Sequence, residues 1–187
     1  MTIQMVRHLF TVSDLRRMVE AGIFAEDDRV ELVEGEIVEM PPIGSHHSDV
    51  ADVLTEMFAS LAREIGFMTR IQGPIKLDES SQLQPDIALL RRRGRAYRES
   101  LPPPDEILLV VEVSDSTLIS DQRVKAPLYA RHGIPELWIV NLTSDSIEVY
   151  REPSVAGYSS RTISGRGEVV SPLAFPTLSF AVDDILG

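Results

Sequence analysis

The run Ile107-Leu108-Leu109-Val110-Val111-Glu112-Val113 constrains the fold more than any other part of this chain. Its apolar residues do not alternate with polar ones, so it reads as a strand covered on both faces, in a sheet with layers packed above and below it. A carboxylate inside such a strand is unfavourable unless it is paired, hydrogen-bonded or bound to a cation. A second acid has a similar setting, because Asp86 opens Pro85-Asp86-Ile87-Ala88-Leu89-Leu90. Downstream of Glu112 stands Lys125, one of only two lysines among 18 basic residues.

The surrounding pattern supplies the layers. Val50, Val53, Leu54, Met57, Phe58, Leu61 and Ile65 recur at spacings of three and four, which predicts a helix over 46–65 with Ser45 as its N-cap and Gly66 as its stop. Strands are expected over 67–72, 75–77, 84–90 and 107–114, then a second helix beginning near Val124, just after Asp121, and ending at His132-Gly133. Pro127 argues for that late start, since proline is tolerated only in a first turn. A strand over 136–141 follows. Ahead of this core, 1–44 reads as an extension with a Thr11-capped helix and a hairpin turning at Glu34-Gly35. Behind it, 143–187 reads as a β-rich tail. The expectation is one domain over 1–187, a central mixed sheet with helices on its faces and a core over 45–142, flanked by the hairpin and the tail.

Side chains alternate along strands, which places Leu108, Val110 and Glu112 on one face and Asp86 with Ala88 and Leu90. If the two strands are neighbours, the carboxylates converge at their ends. Such an oxygen-rich site suits a hard cation, magnesium for phosphate chemistry with manganese as the alternative. Lys125 then offers a compact positive charge for a phosphoryl transition state. Plainer roles are also open: a turn for Asp86 after Pro85, a strand-end position for Glu112, and an ion pair with Asp121 for Lys125. His46 and His47 border the apolar stripe at the start of the long helix. Glu31 lies in the hairpin with its facing undetermined. His132 suits a helix C-terminus, and Trp138 the core.

Composition narrows the partners. A net charge of −11 argues against non-specific coating of nucleic acid, though not against a cleft with local cations. The loop over 91–106 carries Arg91, Arg92, Arg93, Arg95 and Arg98, able to grip a phosphate backbone or simply to offset the acidic surface. No cysteine is present, which removes disulfides and thiolate ligands and is compatible with a cytoplasmic setting. No apolar run is long enough for a membrane span.

These residues resemble the PD-(D/E)XK nuclease superfamily, and more closely its Uma-two family of restriction-endonuclease-like proteins. Pro85-Asp86, Glu112-Val113-Ser114, Asp121 with Lys125 and Tyr129, and Gly133-Ile134-Pro135-Glu136-Leu137-Trp138 carry the likeness, together with the Glu31 to Glu36 hairpin and the histidines, His46 and His47, that open the long helix. The resemblance implies a restriction-endonuclease-like αβββαβ core. It implies that Asp86, Glu112 and the backbone carbonyl of Val113 hold a metal. The superfamily lysine stands two positions after the second acid, where this chain has Ser114, so Lys125 must supply the ammonium from the next helix. On this reading the chain is a magnesium-dependent endonuclease acting on DNA, expected as a homodimer. The competing readings are a nuclease-fold binding or assembly protein without turnover, and a hydrolase of small phosphorylated metabolites.

Overall fold

A computed structural model describes residues 7–25, 28–94 and 96–187, so Arg95 of the arginine loop lies outside the described residues. The first helix, α1 (Val12–Glu20), starts in a capping box: Thr11 Oγ1 accepts the Asp14 N–H at 3.1 Å and the Asp14 carboxylate accepts the Thr11 N–H at 2.9 Å. Strands β1 (Val30–Val33) and β2 (Glu36–Glu39) form the expected hairpin. Both turn residues, Glu34 and Gly35, have positive φ, which matches the twist of a two-residue hairpin.

Helix α2 (Ser45–Ile65) closes on Gly66 in the left-handed conformation. Ser45 is its first helical residue rather than its cap; extended Gly44 takes the capping position without a side-chain bond. The buried stripe is Val50, Ala51, Leu54, Phe58 and Ala62, while Ile65 at the frayed end is 36% exposed. Burying Leu54 and Phe58 contributes about 1.5–3 kcal/mol each.

Strands β3 (Phe67–Ile71), β4 (Ile75–Lys76), β5 (Gln82–Leu83), β6 (Ile87–Arg91) and β7 (Ile107–Ser114) follow. The strand expected over 84–90 is thus two pieces. Pro85 cannot donate to a ladder, and Gln84 to Asp86 form the break between β5 and β6.

A helical stretch runs from α3 (Leu118–Ser120) through a π turn, Asp121–Lys125, into α4 (Ala126–Arg131). It begins before Asp121, not after it. The wide turn is bonded from the Ala126 N–H to the Asp121 carbonyl, and Pro127 follows directly. A π turn relieves the clash between a proline ring and the preceding turn, so a helix start is not needed to admit Pro127.

With strand β8 (Glu136–Asn141), the elements of the main sheet follow the expected order of helix, three strands (β3, β6 and β7), helix, strand, while β4 and β5 belong to a second sheet. The tail does more than flank this core. Strands β9 (Ser146–Ser154) and β10 (Gly157–Gly165) extend the main sheet, whose order is β10-β9-β8-β7-β6-β3 with only β7 and β8 parallel. A short pair, β11 (Val169–Val170) with β12 (Phe180–Ala181), leads into α5 (Val182–Leu186).

Two apolar layers sandwich the sheet. On one face α2 and α5 pack on Leu109, Val111, Val113, Trp138 and Val140. On the other, Ala126 and Tyr129 of α4 meet Ala88, Leu90, Val110 and Ile139, joined by Ile75 and Leu83 from the second sheet, β2-β1-β5-β4. The register of β6 on β7 slips between Leu89 and Leu90. That bulge turns Leu108 to the α2 face, away from Val110 with which alternation would group it.

Candidate active site

The site lies where the pairing of β6 with β7 ends. Ile87 pairs with Val111, the last match in this direction, so β7 continues past the start of β6 with an unpaired edge. Asp86 fills that edge with its side chain: Oδ2 accepts the Val113 N–H at 2.8 Å. The N–H and C=O of one strand residue point to the same edge, so the Val113 carbonyl faces the same gap. The alternate carbonyl, that of Ser114, points the other way and accepts the Leu142 N–H at 3.0 Å.

Glu112 projects to the α4 face beside Val110, as alternation requires. Its Oε1 accepts the Tyr129 hydroxyl at 2.7 Å and the Lys125 ammonium at 3.3 Å. The π turn carries that ammonium into the cluster, where Lys125 Nζ also lies 3.1 Å from Glu31 Oε1 and 3.7 Å from Asp121 Oδ1. Ser114 Oγ donates to Asp121 Oδ2 at 2.7 Å and so orients the acid beside Lys125. Glu31 enters from β1, where its Oε1 also accepts the Gln84 N–H at 2.8 Å. The N-terminal hairpin is therefore part of the site. From the helix side, His47 Nε2 reaches Asp86 Oδ2 at 3.1 Å, whereas His46 is exposed.

Three carboxylates, those of Glu31, Glu112 and Asp121, thus surround one ammonium, and all three are buried, as is Asp86. Burial pushes the Glu112 carboxyl well above its usual range; the Lys125 charge pulls it down, and Asp121, Asp86 and Glu31 push it further up. Burial would lower Lys125, but Glu112, Glu31 and Asp121 outweigh it and hold the ammonium above its ordinary value. The Tyr129 hydroxyl is raised by burial and then by Glu112, so it stays protonated and donates. The acids and Lys125 open onto a cleft of about 390 Å³, walled on its other side by Arg29, Val38, Met40 and the 41–44 segment ahead of α2.

The arginine loop stands elsewhere. It leaves the far end of β6, whose five residues span roughly 16 Å. Arg92 bonds the Ala62 and Phe67 carbonyls, Arg93 bonds Glu106, and Arg91 bonds the Asp105 carbonyl. None of the described loop arginines lines the cleft. His132 bonds the Leu128 carbonyl in α4 and Asp78, and Trp138 is wholly buried with its N–H on Glu136.

The sequence from residue 12 to residue 183 matches the family model of Uma2, described as "Putative restriction endonuclease". The chain belongs to the Uma2 family. A comparison with curated proteins gives no match. Among solved structures, the chain is similar to a crystal structure described as a "putative nuclease belonging to DUF820" from Anabaena variabilis. The two superpose with a TM-score of 0.72 at 15% identity, over 95% of this chain and 97% of that one. The shared architecture is that of a mixed sheet flanked by helices, as expected.

In this Uma2 chain the donors suit a hard cation. Asp86 uses Oδ2 for Val113 and His47, and Glu112 uses Oε1 for Tyr129 and Lys125. Each carboxylate therefore keeps a second oxygen for the cleft that both residues line, beside the Val113 carbonyl. Among the described residues no three His, Asp or Glu side chains gather as a complete metal cage. Two carboxylates and a carbonyl are the sparse protein ligation that magnesium accepts when phosphate and water fill the rest. No helix among the described residues is long and apolar enough to cross a membrane.

Proposed function

We propose that this Uma2 protein is a metal-dependent nuclease that hydrolyses phosphodiester bonds in DNA, with Asp86, Glu112 and the Val113 carbonyl holding magnesium. The observation that carries the reading is the reach of Lys125. It starts from the helix after β7, yet its ammonium lies 3.3 Å from Glu112 at the wall of the cleft that Asp86 also lines. That reach supports Lys125 as the substitute for the lysine absent at Ser114.

Bound magnesium would act as a Lewis acid on the phosphoryl group and lower the pKa of a coordinated water. The chain's own residues do the rest. Asp86 and Glu112 fix the scissile phosphate's position relative to β7. Lys125 stays protonated and faces the charge that builds on the non-bridging phosphoryl oxygens, where an ammonium in a partly dry site is worth more than in water. Tyr129 and Asp121 hold Glu112 and Lys125 in place.

The test is cleavage of supercoiled and linear DNA with magnesium and with chelator. Wild type should cut only with the metal, and Asp86→Ala and Glu112→Gln should lose at least about 100-fold, the scale of removing one transition-state-stabilising group. Equal cutting by wild type and Asp86→Ala would overturn the reading.

A second reading, a nuclease fold that binds without turnover, has one observation in its favour. Lys125 is already engaged by three carboxylates, and no described loop arginine reaches the cleft to grip a backbone. Metal binding without cleavage of DNA, RNA or small phosphorylated compounds would select it.

A further inference from the structure

His47 is the one histidine that enters this site, and its geometry is unusual. The ring is largely buried, with side-chain exposure of 15% against 9% for Asp86. Nε2 lies 3.1 Å from Asp86 Oδ2, and Nδ1 is buried with no hydrogen-bond partner among the described residues. An acceptor nitrogen left without a donor is a smaller penalty than a buried N–H left without an acceptor. A carboxylate oxygen can only accept, so the shared proton is on Nε2 and His47 donates to Asp86.

That donation completes a pattern. Asp86 Oδ2 receives two hydrogen bonds, one from the Val113 N–H on β7 and one from His47 on α2. A carboxylate held twice at one oxygen cannot rotate freely, and its other oxygen is presented to the cleft. The first of these bonds comes from the strand bearing Glu112 and the Val113 carbonyl, and the second from the opposite layer. His47 thereby ties the position of α2 to the orientation of Asp86.

We propose that His47 is a positioning residue of the metal site: its Nε2–H fixes Asp86 Oδ2, so that Oδ1 is the oxygen offered to the cation. The inference rests on Asp86 being a metal ligand. It adds a residue that acts on the metal through Asp86 rather than as a ligand. Removal of such an outer partner lowers metal affinity by about 10–100-fold. Glutamine can place an amide N–H near the Nε2 position, whereas leucine fills the space without a donor.

The experiment is a manganese titration without nucleic acid, read by the electron paramagnetic resonance of free Mn²⁺, on wild type, Asp86→Ala, His47→Gln and His47→Leu. Melting curves on each variant select those that are folded. Wild type should bind, Asp86→Ala should not, His47→Leu should bind about 10–100-fold more weakly, and His47→Gln should stay within a few-fold of wild type. Nitrogen-15 NMR of wild-type His47 should show the proton on Nε2. Wild-type affinity in His47→Leu, or a proton on Nδ1 alone, sinks the positioning role while leaving the metal site intact. Wild type that binds no manganese sinks both.

Discussion

Lys125 is the charge around which the site is built, and its removal should be felt in stability before any reaction is measured. Lys125→Met keeps most of the side-chain volume and deletes the ammonium. Its side chain is 12% exposed, and those of Glu31, Glu112 and Asp121 are 4%, 4% and 3% exposed. The substitution leaves these acids facing one another. Breaking a buried ion pair by removing one partner costs about 3–5 kcal/mol. The lower end applies because the carboxylates line an open cleft and can recruit water. A loss of about 3 kcal/mol lowers the melting temperature by roughly 6–12 °C in a chain of this size. Circular dichroism melts at neutral pH and low salt read this directly. Adding Glu31→Gln to Lys125→Met should recover a part of the loss, since that acid lies 3.1 Å from the deleted charge, with a coupling of about 1–3 kcal/mol. A Lys125→Met protein that melts within about 2 °C of wild type would refute the buried-pair reasoning, because it implies less than ~1 kcal/mol.

Three further outcomes are expected. Tyr129→Phe removes the hydroxyl that Glu112 accepts at 2.7 Å; it should cost about 1.5–3 kcal/mol in urea unfolding, the scale of a hydrogen bond to a charged group. Arg92→Ala should lower stability by about 1 kcal/mol through loss of its bonds to the Ala62 and Phe67 carbonyls. Its rate of DNA cleavage should nevertheless stay near wild type, and a tenfold drop would return the arginine loop to the substrate path. Asp14 is held down at about 2 by the Thr11 hydroxyl and amide, then by Arg17. A depressed acid stabilises above its unfolded value of 3.8 and loses that contribution as pH falls through about 2. The melting difference between wild type and Asp14→Asn should accordingly be flat above pH 5 and vanish near pH 2 in a pH series of melts.

Much of the frame is legible in local pattern. Strands β7 and β8 have the bounds expected of them because apolar, β-branched runs leave no competing periodicity, and α2 stops where Gly66 permits a left-handed turn. The α4 side of Glu112 also follows from alternation with Val110, whereas Asp86 turns into the strand edge, toward the Val113 N–H and His47 of α2. What local pattern hides is what only tertiary contact decides. Glu31 sits in a four-residue strand where Glu31 and Leu32 are both buried, so no alternation marks its side. The register slip that sends Leu108 across the sheet has no signature in an all-apolar run. Pro127 is read as a helix start because a π turn is rare, and that turn is the device that aims Lys125. Pairing of β9 with β8 joins the tail to the sheet through backbone bonds that side-chain identity does not announce. His47 differs from His46 only by its position on α2, and the difference decides which one meets Asp86.

In the proposed site two carboxylates and one carbonyl hold a divalent cation in reach of Lys125. A crystal soaked in manganese, with anomalous diffraction to locate the ion, tests it most directly. One peak is expected in the cleft, bonded at about 2.1 Å to an oxygen of Asp86, an oxygen of Glu112 and the Val113 carbonyl. A peak that bypasses Glu112, or a cleft without a peak at millimolar manganese, would contradict it.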